Sequence, residues 1–307
     1  MKIDYETDLT IIGAGPAGLT ASIYAARANL NVILLDKNAP GGKVLTTATV
    51  ENYPGFVNIT GPDLSLKFFE QAQKLKVKFI FNEAININTS KEDNYKYIEL
   101  KDNKIIKTKA VIIATGMINR QIGCVNETTF FHKGISYCAI CDGFFFRNKA
   151  ISLVGNSNYV ISECNDLINL SDNISIFTNG DETSNELSNY LKNHTNIKVF
   201  NDKIVEVIGD DHLEGIVLEN GDNIPTDGLF IANGIASTSN LAIKLGIILN
   251  NNFIKVDSNY ETNVKGCFAI GDSIGGLLQI SKSVSDGSIC ATYINKLLKE
   301  KEWNIWF

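Results

Sequence analysis

Arginine is nearly absent from this 307-residue chain: Arg27, Arg120 and Arg147 are all it has, so lysine alone supplies strong positive charge over residues 148–307. An ammonium is a point charge without the planar fork of a guanidinium, and any activity needing a bidentate clamp in the second half is excluded. No apolar run approaches the roughly 18 residues of a membrane span. The first residues, Met-Lys-Ile-Asp-Tyr-Glu-Thr-Asp, are too acidic and too poor in apolar side chains for a signal peptide, which predicts a cytoplasmic protein without membrane attachment. Histidine is limited to His132, His194 and His212, and six cysteines are too few for a disulfide framework in a chain of this length. The 28 basic residues against 34 acidic ones leave a net charge of -6, which argues against a nucleic-acid partner.

What is present is ordinary in bulk, with 44% hydrophobic and 20% charged residues, enough for two domains with full cores. The run Leu9-Thr10-Ile11-Ile12 stops at Gly13-Ala14-Gly15-Pro16-Ala17-Gly18, residues 17–28 carry apolar side chains at helical spacing, and Val32-Ile33-Leu34-Leu35 ends in Asp36. This is a strand, glycine turn, helix and strand closed by an acid, the pattern of a dinucleotide site: glycines admit a pyrophosphate to the positive end of a helix, and the carboxylate accepts from a ribose. Ala110–Ala114 is a buried-type strand ending in Thr115-Gly116. Cys267–Ile270 is another, ending in Gly271-Asp272, with an amphipathic stretch from Gln279 to Leu298 beyond it. The two chain ends thus build one domain, residues 1–116 with 241–307. The middle, 117–240, is an insertion with its own alternation: a strand at 150–154, a helix through Leu170, and strands at 174–177 and 229–232. A split domain carrying an inserted one suits a flavoprotein.

Cys138-Ala139-Ile140-Cys141-Asp142-Gly143 is the second signal. Two thiols three residues apart close a small ring, a spacing that favours a reversible redox pair, and Asp142 beside them is able to shuttle a proton as the ring opens. Zinc and an inert thiol pair are the rival readings. No second CxxC exists, His132 is the one nearby imidazole, and no metal is expected.

On Gly13–Gly18, Gly41-Gly42, Glu51-Asn52-Tyr53-Pro54-Gly55-Phe56, Ala114-Thr115-Gly116, Cys138–Phe145, Phe268–Asp272 and Gln279, taken in this order, the chain resembles the low-molecular-weight bacterial thioredoxin reductases along nearly its whole length. The resemblance implies an α/β protein of two Rossmann-like, three-layer ββα-type domains, the FAD domain discontinuous and the inserted domain bearing the dithiol. It implies FAD, held by Gly13, Gly15, Pro16, Ala17, Gly18, Asp36, Lys37 and Gly42. Asn52, Thr115, Gly116, Gly271, Asp272, Gln279 and Ile280 complete the set, with Asp272 on the ribityl chain and Gln279 near the flavin ring. Cys141 matches the thiol that faces the flavin, Cys138 the thiol that attacks thioredoxin disulfide, and Asp142 the acid that protonates the leaving thiolate. A homodimer follows from the resemblance alone.

The inserted domain departs from that family. Its expected NADPH fingerprint reads Gly155-Asn156-Ser157-Asn158-Tyr159-Val160, in which only the first glycine survives, and the arginines that would hold a 2′-phosphate are replaced by Ile176-Phe177-Thr178-Asn179-Gly180-Asp181-Glu182. Residues 148–241 hold four lysines and fourteen carboxylates, a net of -10, and the rest of the chain is +4. Such a domain repels a polyphosphate cofactor. The pattern is most like the ferredoxin-dependent flavin branch, in which a one-electron donor, reduced ferredoxin, replaces NADPH. Lys67, Lys74, Lys76, Lys78, Lys104, Lys107 and Lys109 are candidate docking charges for that acidic partner or a merely solvated face. The aromatic tail Trp303, Trp306 and Phe307 is equally suited to covering a flavin, meeting a partner or anchoring the last helix. Three other readings stay open: an NAD(P)H-dependent thioredoxin or dithiol reductase with an altered nucleotide pocket, a flavin redox sensor without turnover, and the same one-electron chemistry with another flavoprotein or small electron carrier in place of ferredoxin.

Overall fold

The computed structural model describes residues 2–90, 94–119, 121–233, 235–237, 240–250 and 253–299; Arg120 and the Trp303, Trp306 and Phe307 tail lie outside the described residues. From the N-terminus run β1 (Tyr5–Ile12), α1 (Pro16–Arg27), β2 (Val32–Asp36), α2 (Gly61–Lys74), β3 (Lys78–Phe81), β4 (Ala84–Thr89), β5 (Lys96–Leu100), β6 (Ile105–Ile113) and β7 (Met117–Asn119). The middle holds β8 (Ile135–Ser136), α3 (Ala139–Asp142), β9 (Ile151–Val154), α4 (Asn158–Leu167), β10 (Ile174–Phe177), α5 (Asn185–Leu191), β11 (Lys198–Phe200), β12 (Ile204–Gly209), β13 (Leu213–Leu218), β14 (Asn223–Pro225) and β15 (Gly228–Ile231). The chain returns through β16 (Ile235–Ser237), α6 (Asn240–Lys244), β17 (Leu249–Asn250), β18 (Phe253–Ile254), β19 (Cys267–Ala269) and α7 (Ile280–Lys299). Two compact units result, residues 1–118 with 237–307 and residues 119–236, and β7 pairs with β16 where the chain crosses between them.

In the first unit β3, β2, β1, β6 and β19 form a parallel sheet, and β5 and β4 continue from β6 as an antiparallel meander. A parallel strand covered on both faces reads as a continuous apolar run rather than an alternation. That is why Leu9–Ile12 and Val32–Leu35 carry no polar face: Leu9, Ile11 and Leu34 pack with α1 and α7, while Ile12, Ile33 and Leu35 pack with Ile87 and Ile98 of the meander. β1 begins earlier than its apolar run because Tyr5–Thr7 pair in register with Ile106–Thr108.

The second unit repeats the plan. Its parallel sheet, in the order β11, β10, β9, β15, β8, is packed by α4 and α5 through Val160, Cys164 and Leu187 on one side and by the antiparallel β12, β13 and β14 through Val207 and Ile216 on the other. Both units are therefore three-layered, helices over parallel sheet over meander, as expected. The helix expected to reach Leu170 stops at Leu167. There the Leu170 N–H bonds back to Leu167 O at 2.8 Å, and the polar stretch Ser171-Asp172-Asn173 takes up turn bonds, Ser171 Oγ donating to Lys149 O. Among the described residues no helix is long and apolar enough to cross a membrane.

One close approach sets how α7 lies on α1. A Cβ on Gly287 would stand 2.4 Å from Ala17 O and 2.9 Å from Ala21 N, so backbone meets backbone there. Gly287→Val is expected to force the helices apart and lower stability by about 2–3 kcal/mol, beyond any gain in helix propensity. A fall in the thermal midpoint of the purified protein checks it, and an unchanged midpoint contradicts the packing.

Candidate functional site

The first site is built at the carboxyl end of β1. Gly13 adopts φ +109°, and a Cβ there would overlap Ala114 O and Thr115 N, so β1 turns directly against the end of β6. Gly18 is held as tightly, its missing Cβ falling 1.8 Å from Gly13 O. Gly15 differs. It precedes the first turn of α1 with an extended backbone, has no side-chain cap, and a Cβ on it would meet nothing within 4 Å. Pro16, Ala17 and Gly18 form that first turn, with no acidic residue in it, and the first N–H groups of a helix lack partners within it and favour negative charge.

Other expected residues close around this opening. Asp36, at the end of β2, accepts from Ala14 N (2.7 Å) and Asn38 N (2.8 Å). The Gly41 N–H bonds to Ala14 O at 2.7 Å, and a Cβ on Gly42 would lie 3.2 Å from Gly15 Cα, so this turn folds over the start of α1. From the C-terminal segment, Gly271 abuts Ala17, a Cβ there falling 2.9 Å from Ala17 Cβ. Asp272 follows, with Ser283 Oγ at 3.5 Å and Lys43 Nζ at 4.0 Å. Asn52 Nδ2 donates to Gln279 Oε1 at 3.1 Å, and Ile280 packs with Val44, Val50, Ile59 and Leu64. Thr115 and Gly116 follow β6 after Ala114. Lys37 is drawn elsewhere, to Glu83 at 2.9 Å.

Sequence reasoning missed the support beneath Asp272. The buried Asp286 accepts from Gly271 N (2.9 Å) and the Tyr260 hydroxyl (2.9 Å) and pairs with Lys282 Nζ (2.8 Å), which also donates to Gly271 O and Gly275 O. The legible signal was a Lys and an Asp four residues apart in a long helix, facing inward. Burial pushes the Asp272 carboxyl up against the pull of Lys43, and burial draws the Lys43 ammonium down against the pull of Asp272.

The second site is the dithiol. Cys138 and Cys141 are joined as a disulfide with Cα atoms 5.3 Å apart, and Cys141 N donates to Cys138 Sγ at 3.2 Å. Ala139 N, at the start of α3, donates to Glu163 Oε2 of α4 at 2.6 Å, and burial pushes that carboxyl up. Asp142 N returns to Cys138 O at 3.1 Å, and Asp142 Oδ2 accepts from Ser136 Oγ at 2.5 Å. The remaining thiols are poor nucleophiles. Burial lifts Cys124 to about 11 and Cys267 to about 12, and lifts Cys164 and Cys290 as well. Among the described residues no three His, Cys, Asp or Glu side chains group as metal ligands.

The third feature is the turn after β9. Gly155 keeps φ +156° because a Cβ would meet Ala232 O at 2.5 Å. Beyond it the crevice is bridged by a side chain: Asn156 Nδ2 donates to Glu182 O at 2.7 Å, and its Oδ1 accepts from Ser184 N at 2.8 Å. Ser157, at the position equivalent to Gly15, caps α4 itself by accepting from Tyr159 N. Asp181 and Glu182 stand exposed at the loop tip, no Lys or Arg occurs between Lys149 and Lys192, and Lys203 lies behind Gly180.

The cradle at Gly15 fits an extended dinucleotide: donors at a helix start, no Cβ in the way, and a carboxylate on each side. Gly13 and Gly18 are needed by the fold, whereas only a bound ligand needs Gly15. Gly15→Val is therefore expected to fold with a thermal midpoint close to that of wild-type apoprotein and to lose most of its flavin, read as the ratio of 450 to 280 nm absorbance after purification. Full flavin content in that variant would sink the assignment.

The chain matches the family model described as pyridine nucleotide-disulphide oxidoreductase over residues 7–287. It is 38% identical to a thioredoxin reductase of Ureaplasma parvum, covering 96% of this chain and 98% of that one, and 38% identical to a "34.2 kDa protein in rubredoxin operon" of Clostridium pasteurianum, covering 98% and 100%. The thioredoxin reductase structure from Streptococcus pyogenes superposes with a TM-score of 0.89 at 31% identity, over 97% of this chain and 99% of that one. With a dinucleotide cradle in one unit and a CxxC disulfide in the other, the chain belongs to the pyridine nucleotide-disulphide oxidoreductases, within the low-molecular-weight thioredoxin reductase family, with FAD as its cofactor.

Proposed function

We propose that this protein, as a homodimer, passes electrons from a one-electron donor, reduced ferredoxin, through FAD and the Cys138–Cys141 pair to thioredoxin disulfide. Bound FAD supplies the conversion between single electrons and the electron pair that a disulfide requires. Gly13, Gly15, Pro16, Ala17, Gly18, Asp36 and Gly42 would hold its dinucleotide, with Asn52, Thr115, Gly116, Gly271, Asp272, Gln279 and Ile280 toward the flavin. The chain's own thiols store the pair: Cys138 attacks the substrate disulfide, Cys141 resolves the mixed disulfide, and Asp142 carries the proton to the departing sulfur.

The observation that carries the choice of donor is the bridged crevice after β9. A pyridine nucleotide there would have to break both Asn156 hydrogen bonds, displace the Ser157 cap and set its phosphates beside Asp181 and Glu182. Each unmatched polar group left behind works against binding. The charge balance supports an acidic protein donor, because the -10 of residues 148–241 leaves +4 on the rest. Of the candidate docking lysines, Lys104, Lys107 and Lys109 are already paired with Asp102, Glu6 and Asp8, and Lys78 lies over the Tyr5 ring. This leaves Lys67, Lys74 and Lys76, of α2 and the turn after it, as the charges for docking. A relative from a rubredoxin operon also fits a small one-electron carrier.

The second reading is an NADH- or NADPH-dependent reductase; it is favoured by the family's description and by the surviving Gly155 turn. Anaerobic flavin bleaching with NADPH, NADH and reduced ferredoxin, each followed by thioredoxin disulfide reduction, separates the two. Ferredoxin is expected to bleach the flavin, and either nucleotide to be slower by about 100-fold or more at equal concentration. Fast bleaching by a nucleotide overturns the ferredoxin reading. Bleaching without any disulfide reduction points instead to a redox sensor.

A further inference from the structure

Ser136 takes no part in any function assigned so far, yet its side chain touches both the acid and the attacking cysteine. It ends β8, which pairs with β15 through Ile135 and Ser136, and it is 5% exposed. Its Oγ donates to Asp142 Oδ2 at 2.5 Å and accepts from Cys138 N at 3.1 Å. The Cys138 carbonyl is also within reach at 3.4 Å, but a hydroxyl has one proton, and the shorter contact to a carboxylate takes it. The half-exposed Asp142 carboxyl, held by one oxygen, keeps the other for a thiol. Around this contact, burial holds the His132 imidazole below its ordinary value, Asp142 acting the other way, and Glu163 is engaged with Ala139 N.

We propose that Ser136 is the positioning residue of the dithiol's acid: its hydroxyl locks Asp142 beside Cys138 and stabilises the carboxylate that forms when Asp142 gives its proton to the departing substrate sulfur. This rests on the dithiol-reductase reading above. In the first step the Cys138 thiol yields its proton to Asp142 and its sulfur attacks one substrate sulfur, the substrate S–S bond breaks, a Cys138–substrate bond forms, and the same proton passes from Asp142 to the sulfur that leaves. In the second, the Cys141 thiol yields its proton to Asp142, its sulfur attacks Cys138 Sγ, the mixed bond breaks, and the same proton passes to the second departing sulfur. Two electrons and two protons move from the dithiol to the substrate. In both steps negative charge grows on Asp142 in the transition state, and a hydrogen bond from Ser136 strengthens as it does.

A sulfur that is a good leaving group needs no proton, which gives a readout that a structural role would not move. Enzyme reduced stoichiometrically with dithionite is mixed in single turnover with thioredoxin disulfide, with 2-hydroxyethyl disulfide, and with an aromatic disulfide whose thiolate is weakly basic. Ser136→Ala is expected to slow the first two about tenfold, the loss of one hydrogen bond to a charged group, and the aromatic disulfide less than about twofold. In the Asp142→Asn background the same substitution is expected to add no further loss. Equal slowing of all three disulfides, no slowing of any, or a full additional loss in the Asp142→Asn background overturns the proposal. If wild-type enzyme ignores thioredoxin but Ser136→Ala still separates the alkyl from the aromatic disulfide, the thioredoxin reading fails and the role of Ser136 stands.

Discussion

The approach of α1 to the end of β1 is the constraint from which the first unit follows. With Gly18 pressed on the Gly13 carbonyl and Gly13 on Ala114, the helix begins within one turn of the strand, and its first N–H groups must point outward past Gly15. Asp36, the Gly41-Gly42 turn and Gly271 each contact that short stretch, so the cradle arises from close packing around one loop. The second unit has the same sheet, helix and meander, and it keeps Gly155 at the strand end. There Ser157 stands where Gly15 would be and satisfies the helix start from its own side chain, so the same architecture has lost the opening.

The parts of this fold that were legible from sequence are those in which burial on both faces leaves a compositional mark. Val32–Leu35, Ala110–Ile113 and the α7 stretch carry their environment in their side chains. The meander strands β12 to β14 do not, because half-buried antiparallel strands with Gly209 and Gly215 in them alternate weakly and draw their pairing from partners elsewhere in the chain. Register matters as much for charge. Lys107 is drawn to Glu6 because β1 and β6 set the two residues opposite each other, a neighbour that no local window reveals, and a row of lysines that looked like a docking face is partly a ladder of ion pairs.

The candidate site divided along the same line. Glycine turns and the CxxC are local and could be read directly. Asp286, Asn156 and Ser136 work through hydrogen bonds to residues up to 28 positions away, and their residue types are common in any chain. Asn156 is the instructive case. Read alone, it is a variable position beside the glycine lost at Ser157; in place, its carboxamide joins the β9 turn to the loop after β10, so the degenerate turn is held by side-chain bonds. The lack of arginine is then one part of a consistent change, in which the cation, the glycine and the free helix start have all gone together.

The dithiol shows how the protein confines thiol chemistry to one pair. Four other cysteines are present, and burial raises the proton affinity of each, so none offers a thiolate near neutral pH. Around the pair, two carboxylates have been given different work by their surroundings. Glu163 projects from α4, its proton affinity raised by burial, and is spent on the backbone at Ala139, which fixes the turn that carries both sulfurs. Asp142 stays half-exposed and takes its hydrogen bond from a hydroxyl, whose proton can follow the charge as it comes and goes. A backbone donor in that place would hold the carboxylate in one state. With Asp142 in the acid's role proposed for it, a serine shared with the cysteine's own N–H would let the acid change state without leaving the sulfur it serves, which is the property an exchange reaction with two proton transfers requires.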